Sequence, residues 1–152
     1  MADRPGIVVA PPLLFVFGWA LGAYIRMDTG KGKVAAFWLP LVGWPLLVGG
    51  ILLAIWGAWT LRRHRTGILP HRPTTTIVTD GPYRFSRNPL YLAMTLAYLG
   101  TALLFRNWWA IVMLPGVVLA LHPLAILREE AYLTAKFGPE YQAYRARVPR
   151  WI

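Results

Sequence analysis

The chain has 152 residues, 57% of them hydrophobic, and a mean hydropathy of +0.45, above the roughly 45–50% apolar content of a soluble domain even with glycine counted. It contains no cysteine, which excludes disulfides, thiolate metal sites and cysteine nucleophiles. The formal net charge of +10 sits at the ends of apolar blocks, so anionic lipid headgroups, and not nucleic acid, are the partner it predicts.

The first apolar block covers about residues 10–25 and opens on Pro11-Pro12, a tolerated position for proline at a helix start. Arg26-Met27-Asp28 follows it where a signal peptide would place small residues, so a retained span is expected. The second block covers about residues 35–61 and carries Gly43, Gly49, Gly50 and Gly57. Small residues let helices approach closely in lipid, and Pro45 is expected to kink the helix. Arg62-Arg63-His64-Arg65 ends this block. The stretch from there to Asn88 is polar and rich in turn formers, and a connection that long in a small domain is usually functional. It is expected to order around a ligand. The third block covers residues 89–105 and the fourth residues 108–127, separated only by Arg106-Asn107, so the two form a tight hairpin. Trp38, Trp44, Trp108 and Trp109 lie near block ends, as the interfacial aromatic belt expects. Past Arg128 the chain is charged and aromatic and suits an interfacial helix, broken at Gly138-Pro139 and resumed to Arg147. The fold expected is all-α: one integral membrane helical bundle with about four transmembrane helices and a C-terminal interfacial helix.

Four spans would put both termini and the Arg62–Asn88 segment on one side. Of the 16 lysines and arginines, only Arg26, Lys31, Lys33 and Arg106 fall on the other side, which predicts cytoplasmic N- and C-termini.

Two polar segments, 74–91 and 128–149, meet apolar helices on that same face. Ionisable groups there are expensive and mark functional sites by default. Two readings stay open: Glu129 and Glu130 pair structurally with Arg84 and Arg87, or some of these charges serve a ligand. The parts suit a zwitterionic, nucleotide-like molecule. Asp80-Gly81-Pro82 is a turn that lets backbone approach a ligand. Asn88-Pro89 opens the third helix, with Asn88 as N-cap. Free N–H groups at that helix start can receive a carboxylate, and Arg87 can add charge-assisted hydrogen bonds to it. Glu129 can receive an ammonium, and Tyr83 and Tyr91 offer ring faces for a base or a sulfonium. His71 is read as a solvated loop residue, and His122 as a buried neutral histidine bonded to a carbonyl freed by Pro123. Three histidines and six acids without ligand spacing predict no metal.

Gly81-Pro82-Tyr83-Arg84, Arg87-Asn88-Pro89 and Tyr91, followed by Glu129-Glu130, Leu133, Phe137-Gly138, Tyr141, Tyr144 and Arg147-Val148-Pro149, form an ordered pattern on either side of one helical hairpin. This pattern resembles the isoprenylcysteine carboxyl methyltransferases and the related phospholipid methyltransferases. Those are integral membrane enzymes that use S-adenosylmethionine. The likeness covers about half the chain, roughly residues 75–151. It implies that Thr75, Thr76, Ile77 and Val78 line a cofactor pocket and that Tyr83 contacts the cofactor. Arg87, Asn88, Pro89 and Leu90 match the family's Arg-His-Pro segment. Glu129 matches the residue that binds the methionine amino group, and Gly81 and Glu130 complete the cofactor set. Arg87, Asn88 and Tyr91 are the catalytic candidates. Asn88 stands where many members have histidine, so no histidine base is available there. Ala125 replaces a substrate-contacting arginine, which does not favour prenylcysteine. The acceptor implied is amphiphilic or lipid-like. The alternatives are a nicotinamide-dependent membrane reductase of related architecture and a non-enzymatic membrane accessory protein.

Overall fold

The computed structural model describes residues 6, 9–29, 37–67 and 74–152. Every element among them is helical: α1 (Pro11–Thr29), α2 (Leu39–Arg63), a single 3-10 turn (Gly81–Arg84), α3 (Pro89–Leu104), α4 (Trp108–Leu121), a π turn (His122–Ile126), α5 (Leu127–Phe137) and α6 (Pro139–Arg147). His71 and the rest of 68–73 lie outside the described residues.

The helix boundaries follow local chemistry. Proline occupies the first turn of α1, α2, α3 and α6, where its missing N–H is no loss. The chain leaves α2 through Arg65 and α3 through Arg106, both with φ near +50°. At the second of these exits Asn107 N–H donates to the Ala102 carbonyl (2.8 Å), and the Asn107 side chain accepts from Ala110 N–H (3.3 Å). One asparagine thus closes α3 and caps α4, which makes the hairpin tight. Gly138, at φ +51°, separates α5 from α6.

α2 packs along α3, α1 along α4, and α3 against α4. The α2–α3 seam is a contact of backbones. A Cβ on Gly50 would lie 2.8 Å from the Ala93 carbonyl and the Ala97 nitrogen, and one on Gly100 would lie 2.6 Å from Leu47 N. Gly43 and Gly57 continue the same stripe at seven-residue spacing, against Leu104 and Leu90. α2 runs through Pro45 unbroken. The centre of the molecule is a cluster of Phe15, Tyr91, Tyr98, Val117, Leu121 and Ile126, onto which Trp151 folds back. The Tyr98 hydroxyl donates to the Ala110 carbonyl inside it (2.8 Å), so the phenol is buried without an unpaired donor.

Two helices are long and apolar enough to cross a membrane: α2, and the continuous helix from Trp108 to Phe137. At 1.5 Å per residue, the 25 residues of α2 reach about 37 Å, more than the ~30 Å hydrocarbon core. Its Leu41, Val48, Leu52, Ile55 and Trp56 are exposed, so α2 is not the core helix of a soluble protein. α3 is apolar but has 16 residues. The second long helix departs from expectation. Residues 108–127 are expected as a span ending before a separate interfacial helix, but the backbone continues into α5 through the π turn. Pro123 has no N–H for the ladder and its ring crowds the preceding turn. Leu127 N–H bonds instead to the His122 carbonyl, and the wider turn absorbs the proline. The extra residue rotates the α5 face by about 100° relative to an unbroken helix, and that rotation sets where Glu129 and Glu130 project. No hydrogen bond to the His122 side chain is found among the described residues.

Candidate functional site

A cavity of about 470 Å³ opens where the ends of α1, α2, α3 and α5 converge, within the ~300–1,000 Å³ of small-molecule sites. Its walls are Ala54, Ala58 and Leu61 of α2, Pro89, Leu90, Tyr91 and Met94 of α3, and Pro11 and Pro12 of α1. Glu129, Tyr132 and Leu133 of α5, with Tyr141 and Tyr144 of α6, close the opposite side. The segment Thr74–Val78 runs over it. Thr74 N–H donates to the Tyr132 hydroxyl (3.3 Å), Thr75 N–H to the buried Thr66 hydroxyl (3.1 Å) and the Thr75 hydroxyl to the Arg65 carbonyl (3.3 Å). The far end of this segment is pinned by the 3-10 turn. Gly81, at φ +56°, sits against the side chain of Thr60, where a Cβ would come within 2.6 Å of its hydroxyl. Asp80 meets His64 at 2.9 Å.

Of the residues read as site candidates, Thr76, Ile77, Val78, Tyr83, Arg87, Asn88, Pro89, Leu90, Tyr91 and Glu129 line this one cavity. Thr75, Gly81 and Glu130 do not. Thr75 is exposed and holds the covering segment to α2, Gly81 shapes the turn, and Glu130 is held by arginines.

The two glutamates have opposite surroundings although they are neighbours. Glu130 is buried, and its oxygens accept from Arg87 Nη1 (2.8 Å), Arg150 Nε (2.9 Å) and Arg150 Nη2 (2.9 Å). Arg84, the other partner expected from sequence, lies over the Phe85 ring instead (4.9 Å). Glu129 accepts one hydrogen bond, from the Tyr91 hydroxyl (2.8 Å). Among the described residues no lysine or arginine pairs with it. Burial, opposed by the Tyr91 hydrogen bond and reinforced by the Glu130 charge, pushes the Glu129 carboxyl up to about 7, because its charged form faces the cavity with one neutral donor and no cation.

The opposite polarity lines the same cavity. Arg87 spends Nη1 on Glu130 and its guanidinium also hydrogen-bonds Tyr141, while its Nε is buried with no partner. Beside it, Pro89 supplies no N–H, and nothing among the described residues accepts from Leu90 N–H or Tyr91 N–H at the start of α3, groups that a helix start leaves free. Asn88 does not cap this helix. Its backbone N–H donates to the Ser86 hydroxyl (3.1 Å) and its Nδ2 to the Arg150 carbonyl (2.9 Å), so the expected cap is replaced by a tie to the tail. That tie freezes the loop and leaves the helix N-terminus open to an anion.

Tyrosines furnish the remaining polar surface. Burial, followed by the influence of Tyr144 and the Glu129 charge, pushes the Tyr83 phenol well above its ordinary value. Burial, followed by Tyr141, does the same to Tyr144. Both remain hydrogen-bond donors near neutral pH. The Tyr144 hydroxyl donates a hydrogen bond to the Tyr83 carbonyl (2.7 Å), fastening α6 to the 3-10 turn. Among the described residues no group of three His, Asp or Glu is placed to hold a metal ion.

Arg150 and the α2 wall were not among the candidates. Arg150 follows Val148-Pro149 at the end of the matched pattern, and only its long-range pairing with Glu130 reveals a role. The α2 wall is apolar and carries no chemical signature in sequence.

The described residues thus form an all-helical bundle, with two helices apolar enough to cross a membrane and a charged, half-enclosed cavity at one end. The sequence model of the phospholipid methyltransferase family matches residues 38–140, and the chain belongs to that family. It is similar to the protein-S-isoprenylcysteine O-methyltransferase of Schizosaccharomyces pombe, 37% identical over 76 residues, which is 50% of this chain and 32% of that protein. The protein-S-isoprenylcysteine O-methyltransferase B of Arabidopsis thaliana is 28% identical over 118 residues, 76% of this chain and 60% of the relative. The nickel-cobalt-cadmium resistance protein NccN of Alcaligenes xylosoxydans xylosoxydans is 24% identical over 98% of this chain and 72% of its own length. The match thus spans about a third of the S. pombe relative. No solved structure matches the chain.

Proposed function

We propose that the protein transfers a methyl group from S-adenosylmethionine to an amphiphilic or lipid-like acceptor at the cytoplasmic face of a membrane. The observation that carries this reading is the pairing of opposite, unspent polarities in one cavity. Glu129 lacks a cation, while Arg87 Nε and the first N–H groups of α3 lack an acceptor. An amino-acid moiety brings an ammonium and a carboxylate together, and it satisfies both sides at once. The fit therefore rests on which partners the cavity lacks, and family membership agrees with it.

In this assignment Glu129 receives the ammonium, and Arg87 with the α3 N-terminus receives the carboxylate. Tyr83 and the segment Thr76–Val78 flank the nucleoside. The cofactor, when bound, supplies an electrophilic methyl group on a sulfonium. The protein's own task is to place an acceptor lone pair in line with that group and keep water away. The covering segment serves the second purpose. For the first, the cavity continues from the polar residues to Ala54, Ala58, Leu61, Leu90 and Met94, an apolar wall for the hydrocarbon part of an acceptor. Tyr91, whose hydroxyl reaches Glu129, stands between the polar and apolar parts. A carboxylate acceptor needs no base. An amine acceptor must first lose a proton, and with Asn88 in the family's histidine position His71 or a tyrosine is the residue left to help.

The membrane arrangement that accompanies this function is a single domain over 1–152 with α1, α2, α3 and the helix from Trp108 as four spans, both termini cytoplasmic. The distribution of basic residues supports it. A thermal-shift assay on the full chain in detergent tests the function. S-adenosylhomocysteine is expected to raise the midpoint and NADPH to leave it unchanged. Stabilisation by NADPH alone would replace the methyltransferase with a reductase, and no response to either would remove the cofactor site.

A further inference from the structure

Glu130 has two arginines and only two oxygens. Arg150 takes both in a fork, Nε to Oε1 and Nη2 to Oε2, each at 2.9 Å. Arg87 reaches Oε1 with Nη1 alone (2.8 Å). A guanidinium and a carboxylate left to themselves favour two parallel hydrogen bonds. Without Arg150, Glu130 would draw Arg87 into that geometry and consume Nε, the donor that is now buried and unbonded. The backbone around Arg150 is correspondingly fixed. Its carbonyl accepts from Asn88 Nδ2 (2.9 Å) and from the Ser86 hydroxyl (3.3 Å), and the Pro149 carbonyl accepts from Arg87 N–H (3.0 Å). Trp151 anchors the same stretch in the central cluster. The hydrogen bond to Glu130 raises the Arg150 guanidinium above its ordinary value, and against the cost of burial the Arg150 hydrogen bonds and the Arg87 charge hold the Glu130 carboxyl below its own.

We propose that Arg150 is a positioning residue: by occupying both oxygens of Glu130 it limits Arg87 to one hydrogen bond with that carboxylate and leaves Nε, buried and unpartnered in the free protein, for the carboxylate of the bound ligand. It also removes Glu130 from competition for cations, so that Glu129 alone receives the ammonium. The triad of Arg87, Glu130 and Arg150 carries one net positive charge, and Glu129 supplies the negative one once a cation beside it favours its ionised form. Arg150 therefore sets the polarity of the cavity without touching the ligand. This inference rests on the cofactor reading above.

The test compares two ligands that share the nucleoside and differ in the amino-acid moiety, S-adenosylhomocysteine and 5′-methylthioadenosine, titrated calorimetrically into the full chain in detergent. Arg150→Ala is expected to weaken S-adenosylhomocysteine about tenfold or more while 5′-methylthioadenosine changes less than about twofold. Arg150→Lys, which keeps the charge but cannot fork, is expected to fall between wild type and Arg150→Ala. Adding Glu130→Gln to Arg150→Ala relieves the pull on Arg87 and is expected to restore part of the loss. Equal weakening of both ligands in Arg150→Ala and Arg150→Lys would make Arg150 merely structural and overturn the proposal, as would unchanged S-adenosylhomocysteine affinity. If the wild type binds neither ligand, the cofactor reading itself fails, and the positioning role falls with it.

Discussion

The seam between α2 and α3 and the polar cap formed by α5, α6 and the tail are built on different physics. The seam has no side-chain hydrogen bond between the helices among those described. It depends on the absence of atoms at Gly43, Gly50, Gly57 and Gly100, which lets two backbones touch. Such backbone contact is a source of helix association that does not depend on sequestering apolar surface from water. The cap depends on the presence of particular atoms: two guanidiniums on Glu130, a phenol on the Tyr83 carbonyl, an amide on the Arg150 carbonyl. The seam has no unmet polar demand, whereas the cap has it at two places, Arg87 Nε and Glu129. A region held by packing can be silent toward ligands. A region held by polar pairs can be left incomplete, and both incomplete positions belong to residues that line the cavity.

The largest effect on stability is expected in the cap. Glu130→Ala leaves two arginines beside one another with no counter-ion, and breaking a buried pair in this way typically costs about 3–5 kcal/mol. Unfolding in detergent should show the loss, and an unchanged midpoint would mean that the ion triad does not hold the cap. The seam should respond to the smallest possible addition. Gly50→Ala places a methyl group 2.8 Å from backbone atoms of α3, which cannot move aside as a side chain can, and is expected to cost about 1–3 kcal/mol. The adjacent Gly49→Ala meets nothing within 4 Å and should be neutral or stabilising by about 0.5–1 kcal/mol. Equal effects at the two positions would contradict the close-approach account. Tyr144→Phe removes one buried hydrogen bond to the Tyr83 carbonyl (2.7 Å) and should cost about 1 kcal/mol, the smallest of the destabilising changes. Amide exchange around Tyr83 would localise that loss to the 3-10 turn.

Much of the seam and hairpin was legible in the sequence because the signals are local. The glycine stripe in the second block, the Arg106-Asn107 connection and the Gly138-Pro139 break each dictate backbone geometry within a few residues. The cap was legible only in part. Arg87 with Glu130 is one half of the pairing expected from sequence. The other half, Arg84, turned to Phe85, because Arg150 reaches Glu130 from 20 positions away and does so with two bonds. Asn88 was read as a helix cap because its type and its place before Pro89 are the usual signature. The Arg150 carbonyl, 62 positions away in the chain, claimed its side chain. The continuation of the fourth block into α5 was hidden for a related reason. Pro123 reads as a break, and only the π turn at His122–Ile126 shows how the helix passes it. The family resemblance singles out Glu129 in the sequence, but the physical reason that Glu129 and not Glu130 is the free carboxylate depends on that rotation and on Arg150 together.

The central claim is that Glu129 is left without a cation so that a ligand can bring one. Calorimetric titration of S-adenosylhomocysteine into wild type and Glu129→Gln, in detergent and on folded protein, tests it most directly. The change keeps the shape of the side chain and its ability to accept from Tyr91 while removing the charge. Loss of one partner of a desolvated ion pair is worth about 2–5 kcal/mol, so binding should weaken by at least an order of magnitude with no fall in the unfolding midpoint of the free protein. Unchanged affinity in a Glu129→Gln protein that unfolds like wild type would contradict the account and return Glu129 to a structural role.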